Sequence, residues 1–189
     1  MRIIAGTLKG RRLGTPTWPG LRPTSDKLRE TLFNILAPRI AGARVLDAFA
    51  GTGALGIEAL SRGASHVTFI DSDPRASALI SDNLRRCGVA ERYAIIRGEI
   101  ERARPPARGF DLILLDPPYD LQHLDRVYER VAQWLTLEGL LIVEHARRHP
   151  PSTAIGDLML VREVKSGDSA LAVFERGRLG EPEPESEGG

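Results

Sequence analysis

The chain has 189 residues, about the length of one domain, with an apolar content of 42% that suffices for a core and a formal net charge of only +1. Its one cysteine, Cys87, excludes an internal disulfide and a zinc cluster, and none of the four histidines has ligand spacing with it. No leader-like segment and no apolar run of membrane-spanning length is present, so the expectation is a cytoplasmic protein, monomeric and without a membrane partner.

Residues 2–14 predict a β-hairpin or two short strands joined through Gly6–Gly10, followed by a Pro/Gly loop over Thr15–Pro23. Charge is uneven along the chain. Residues 1–29 hold Arg2, Lys9, Arg11, Arg12, Arg22, Lys27 and Arg29 against the single acid Asp26. Such a cluster is most often a solvated face. This one lies outside the alternating α/β pattern that follows, which favours phosphate contact through Lys9, Arg11, Arg12, Arg22 and Lys27. Ser25 or Asp26 caps a predicted helix that runs to about Leu36, with Leu28, Leu32, Phe33 and Leu36 on one face and Ala37-Pro38 as its stop.

From there strands and helices alternate, which implies a parallel sheet. The predicted strands are 43–47, 66–71, 93–97, 111–116 and 139–144, and the predicted helices 54–62, 74–86 and 123–135. Cys87-Gly88 ends the second of these helices. Residues 157–164 and 169–175 predict a closing hairpin around Gly167. From Arg176 onward Gly, Pro and Glu dominate, and a disordered acidic tail is expected.

The first core strand ends in Asp47-Ala48-Phe49-Ala50-Gly51-Thr52-Gly53, and a helix starts near Ala54. Gly51 and Gly53 permit positive φ and close approach of a ligand to the backbone, and the helix N-terminus offers free N–H groups. The spacing through Gly56 formally fits a dinucleotide fingerprint, but Asp47 would oppose a pyrophosphate. A cationic ligand with an amino-acid tail, such as S-adenosylmethionine, suits it better. The next strand ends in Asp71, an acid placed to hold two ribose hydroxyls, while Asp73-Pro74 reads as the cap of the following helix. After the third strand, Glu99 and Ile100 are candidates to hold and cover an adenine.

The fourth strand, Leu112–Leu115, runs into Asp116-Pro117-Pro118-Tyr119. An acid supplies acceptors, two prolines stiffen the turn and leave their carbonyls free, and Tyr119 offers a flat face. A strand terminator would also use prolines. Following three other ligand-type strand ends in fixed order, the segment reads instead as a pocket for a flat heterocycle with an exocyclic amino group. Asp116, Pro117, Pro118 and Tyr119 are therefore the candidate catalytic residues.

With these motifs the chain resembles the class I S-adenosylmethionine-dependent methyltransferases. Met1–Leu13, the Arg22-Pro-Thr segment with Arg29-Glu-Thr-Leu-Phe-Asn34, and Asp47–Gly63 narrow the resemblance to the RsmD family of bacterial 16S ribosomal RNA guanine-N2 methyltransferases. The resemblance covers Met1 to about Glu175. It implies a Rossmann-like α/β fold with a seven-stranded, mostly parallel sheet whose last strand is antiparallel. It also implies S-adenosylmethionine held by Asp47, Phe49, Ala50, Gly51, Thr52, Gly53, Asp71, Glu99 and Ile100, and a guanine of 16S RNA presented on a partly assembled small subunit. The expected organisation is an RNA-contacting extension over 1–38, a methyltransferase core over 39–175 and a tail over 176–189. The competing readings are a DNA adenine-N6 or cytosine-N4 methyltransferase, a dinucleotide-dependent oxidoreductase and a non-catalytic RNA-binding module.

Overall fold

The sheet is built around a short strand, β1 (Arg44–Ala48), that has a parallel neighbour on each side. The computed structural model describes residues 1–18, 25–105, 109–118, 121 and 123–177. Its elements are α1 (Asp26–Ile40), β1, α2 (Ala54–Ser61), β2 (His66–Asp71), α3 (Pro74–Arg86), β3 (Tyr93–Arg97), β4 (Phe110–Leu115), α4 (Leu124–Ala132), β5 (Leu135–Ala146), β6 (Ala154–Ile155), β7 (Leu158–Ser166) and β8 (Ser169–Arg176).

The strand order is β3-β2-β1-β4-β5-β8-β7-β6. Strands β1 to β5 are mutually parallel, and β8 is antiparallel to both β5 and β7. All seven expected strands are present, and the two-residue β6 is added at the β7 edge. Parallel strands buried on both faces read as continuous apolar runs, as in Leu112-Ile113-Leu114-Leu115. Alternate residues feed two cores. Val45, Leu112, Leu114, Leu140 and Ile142 pack with α1, α2 and α3. Leu46, Ile113, Leu115, Leu141 and Val143 pack with α4 on the opposite face.

Local signals explain most boundaries. Ser25 caps α1 by accepting from Leu28 N–H, and Asp73 caps α3 by accepting from Arg75 N–H with Pro74 in the first turn. Gly88, at φ 66°, follows the end of α3. Four boundaries differ from expectation. Helix α1 continues through Pro38 to Ile40, because burying Ile40 in the core holds its last turn. Helix α4 stops at Ala132, and β5 starts early at Leu135, where Leu135 pairs with Phe110 before a register shift. Strand β8 extends through Arg176, whose guanidinium bonds to Asp157 and to the Thr136 and Ala132 carbonyls. The rest of the tail expected over 176–189, residues 178–189, lies outside the described residues.

The N-terminal segment forms the expected hairpin: Arg2 and Arg12 make an antiparallel bridge, and Ile3, Gly10 and Leu13 N–H donate to the Arg11, Ile3 and Met1 carbonyls. Other backbone groups of the hairpin bond to α2 and α3. Ile4 and Ala5 N–H groups donate to the carboxylate of Glu58, Leu8 N–H to Ser61 Oγ and Thr7 N–H to the Ser61 carbonyl. Ser61 Oγ in turn donates to the Ala5 carbonyl. At the other end, Gly14 N–H donates to Asn83, whose amide also donates to the Gly14 and Thr52 carbonyls. Ile3 and Leu13 are buried in the core. The segment therefore lies along α2 and α3, with its turn at the C-terminal end of α2.

Candidate active site

The acids expected at the site come from three strands and converge on one face of the sheet's C-terminal edge. Asp47 shares a face with Val45, and Asp71 with Val67 and Phe69, toward α2 and α3. Asp116 follows Leu115 and returns to the face of Leu112 and Leu114. Asp47 is almost fully buried, and its Oδ2 accepts from Gly56 N–H at 2.8 Å. The carboxyl is held well above its ordinary range, first by burial and then by the charges of Asp116 and Asp71, against the lowering effect of the Gly56 bond. That mutual repulsion follows from three acids facing a common space.

The glycine turn lies between them. Phe49, Gly51 and Gly53 all have positive φ, at 60°, 51° and 74°. For Phe49 this is a strained backbone, and it follows the acid-bearing strand directly. Ala50 N–H donates to the Ile70 carbonyl and Gly53 N–H to the Ala50 carbonyl, closing the turn. Gly51 N–H donates to Asp71 Oδ2 at 2.8 Å, while Asp71 Oδ1 accepts from Asp73 N–H at 2.9 Å. Asp71 thus has a structural duty that its position in the sequence did not reveal. It braces the turn as well as facing the cleft. Thr52 is buried, with Oγ1 3.9 Å from Met1 Sδ. Gly53 starts α2 without a side-chain cap, and a Cβ there would lie 3.2 Å from Ile80.

The other expected residues separate. Ile100 is buried in the α4-side core, and the exposed carboxylate of Glu99 pairs with Arg102 at 3.2 Å. A carboxylate in a surface ion pair is a poorer adenine ligand than expected. Pro117 is buried and Pro118 exposed. Tyr119 and Arg22 lie outside the described residues. Lys9, Arg11, Arg12 and Lys27 are exposed. Arg11 leans on the end of α3, 3.5 Å from the Arg86 carbonyl. Lys9 belongs to the turn beside Ser61, at the end of α2 remote from Gly53. Arg29, counted with the basic surface in sequence, is completely buried, where it donates to the Arg2 carbonyl and Asp26. Burial lowers its pKa against the raising effect of Asp26 and Glu58.

Sequence reasoning missed Glu58, Ser61, Asn83 and Glu144. Glu58 and Ser61 stand three apart in an otherwise apolar helix that is buried all round, and that spacing was the available signal. Glu144 ends a fully apolar run, Leu140–Val143, as Asp116 ends its own. Among the described residues no group of His, Cys, Asp and Glu is placed to hold a metal ion, and no helix is long and apolar enough to cross a membrane.

Parallel strands in the order 3-2-1-4-5 with an antiparallel strand beyond, and ligand-type acids at the carboxyl ends, define a class I methyltransferase fold. The conserved hypothetical protein 95 family model matches residues 1–175. The ribosomal RNA small subunit methyltransferase D of Escherichia coli K12 is 36% identical over 183 residues, 96% of this chain and 92% of that protein. Its namesake from Haemophilus influenzae is 36% identical over 181 residues, 93% of each chain. The solved structure of yhhF from Escherichia coli superposes with a TM-score of 0.82 at 36% identity, covering 93% of this chain and 97% of that one. The chain belongs to the RsmD family of S-adenosylmethionine-dependent methyltransferases. With this the oxidoreductase reading of the glycine spacing falls, as the buried acid below the turn already argued.

Proposed function

We propose that the protein methylates the exocyclic N2 amino group of a guanine in 16S ribosomal RNA, using S-adenosylmethionine. One observation carries the reading: Asp47, Asp71 and Asp116 face one space at the ends of adjacent strands, with a strained glycine turn between them. The relatives' action on small-subunit ribosomal RNA supports the choice of substrate.

The donor set suits this cofactor. A ligand with two cationic centres answers the charge of Asp47 and its neighbours. Asp71 retains acceptor capacity for ribose hydroxyls beyond its two backbone bonds, and the uncapped start of α2 suits a carboxylate. Phe49, Ala50, Gly51, Thr52 and Gly53 form the turn around it, and Ile100 and the Glu99 backbone close the adenine side. When bound, the cofactor supplies an electrophilic methyl group.

The chain's own residues must present the nucleophile. The lone pair of a guanine amino nitrogen is delocalised into the ring. Hydrogen bonds from its two N–H groups to Asp116 and the Pro117 carbonyl hold the nitrogen with its lone pair toward the methyl. The Asp116 charge stabilises positive charge developing there, and the proton leaves late, to water. Pro118 stiffens the turn and Tyr119 stacks on the base. A paired base cannot enter such a cleft, so the target is unpaired or flipped. Lys9, Arg11, Arg12, Arg22 and Lys27 contact RNA phosphates, with residues 1–38 as the RNA-contacting part of the chain. A partly assembled small subunit presents the target.

The test is methyl transfer from radiolabelled cofactor to small-subunit particles lacking the modification, followed by mass mapping of the labelled nucleotide. The expected product is a single N2-methylguanosine. No label in ribosomal RNA, or label in adenine or cytosine when duplex DNA is offered in a parallel reaction, would overturn the reading.

A further inference from the structure

We infer that Glu144 accepts the N1–H of the target guanine and thereby makes the site selective for guanine. The inference rests on the guanine-N2 reading above. Strands β4 and β5 are parallel, with Leu112 beside Leu140 and Leu115 beside Val143. The next residues in that register are Asp116 and Glu144, on neighbouring strands about 4.8 Å apart. Leu140 and Ile142 share the core of Leu112 and Leu114, so the pleat brings Glu144 and Asp116 to the same face. Asp116 thus has Asp47 on its β1 side and Glu144 on its β5 side.

That placement answers a need of the substrate. A guanine whose two N2 hydrogens are taken by Asp116 and Pro117 still presents an N1–H next to the amino group. The β1 and β2 side of Asp116 holds the glycine turn and the cofactor acids. An acceptor for N1–H must therefore come from the β5 side, where Glu144 is the acid at the strand end. Glu144 is only 7% exposed, and an acid so buried is retained where donors meet it. It already interacts within the chain, and a carboxylate, with about four lone-pair sites, can accept from more than one donor at once. A purine with a bare N1 would set its lone pair against this carboxylate. Sites that bond a substrate N–H reject analogues lacking it.

The experiment uses the full chain and 16S RNA, assembled into particles, with either guanosine or 2-aminopurine at the mapped target. 2-Aminopurine keeps the C2 amino group but has an unprotonated N1. The parent should strongly prefer guanosine. In E144Q the guanosine rate should fall about tenfold to a hundredfold, as for loss of a charged hydrogen bond, while the 2-aminopurine rate holds or rises, because the carboxamide donates to bare N1. E144D should keep the preference at a lower rate. Calorimetric affinity for S-adenosylmethionine and the melting temperature identify any variant that is merely misfolded, in which case E144D carries the comparison. Equal loss on both bases, with the preference unchanged, would make Glu144 a structural acid and overturn the inference. If the parent methylates no guanosine at all, the guanine reading itself fails.

Discussion

Replacing Asp116 should separate catalysis from cofactor binding. Asp116→Ala is expected to lose turnover by about 10²–10³, the scale of removing one preorganised electrostatic partner of a developing charge, while calorimetry shows cofactor affinity retained. Normal turnover in this variant would sink the mechanism. Asp71 should behave differently, because the proposed ribose ligand also braces the turn. Asp71→Ala should weaken S-adenosylmethionine binding and also cost about 1–3 kcal/mol in urea unfolding of the free protein. The position of Asp71 at the end of the second strand was legible in sequence. The bracing role was not, since it depends on Gly51 folding back over β2. For Asp47 the sign of the pH effect is fixed. Its folded-state pKa is raised above the ordinary 3.8 by burial and by Asp116 and Asp71. The folded chain holds that proton more tightly than the unfolded chain, so this residue's contribution to stability falls as pH rises from about 3.8 toward the raised value. Asp47→Asn should flatten that slope, raise the melting temperature at neutral pH and still weaken the cofactor. A lower melting temperature at pH 7 would count against the repulsion among the three acids.

Elements were legible where a pattern was local. Strand ends at Asp71 and Arg97 and the caps at Ser25 and Asp73 follow from neighbouring residues, and they agree with the sequence reading. The docking of the N-terminal hairpin was not, because its partners lie about 54 positions away in α2. The hairpin was expected and is present, but its bonds to Glu58 and Ser61 were not. Glu58 also pairs with Arg62 at 2.8 Å and offsets the buried Arg29. Glu58→Ala should therefore cost about 3–5 kcal/mol, the scale for leaving a buried charge uncompensated, read from denaturant unfolding. Gly6, at φ 82°, lies so close to α2 that a Cβ would fall 1.9 Å from the Ser61 carbonyl oxygen, so Gly6→Val should detach the same turn. Neutralising Lys9, Arg11 and Arg12 together should leave folding and cofactor affinity intact. For every phosphate that no longer meets a cation, the log–log salt dependence of RNA binding should flatten by about 0.7–0.9. An unchanged slope would make this turn a solvated face.

At the scale of the whole molecule, the proposed site lies where the strand order reverses, with β2 on one side of β1 and the sequence-distant β4 on the other. This has a kinetic consequence. β1 and β2 follow one another, but β4 must cross the chain to pair with β1 and bring Asp116 beside Asp47. Non-local pairings of this kind form late in folding. The complete cleft should be absent from the rate-limiting species, and a ligand that spans β1, β2 and β4 has nothing to grip until the barrier is behind it. Saturating S-adenosylmethionine should therefore slow unfolding and leave the refolding rate nearly unchanged. The cofactor would act as a latch on the finished sheet rather than as a template for making it.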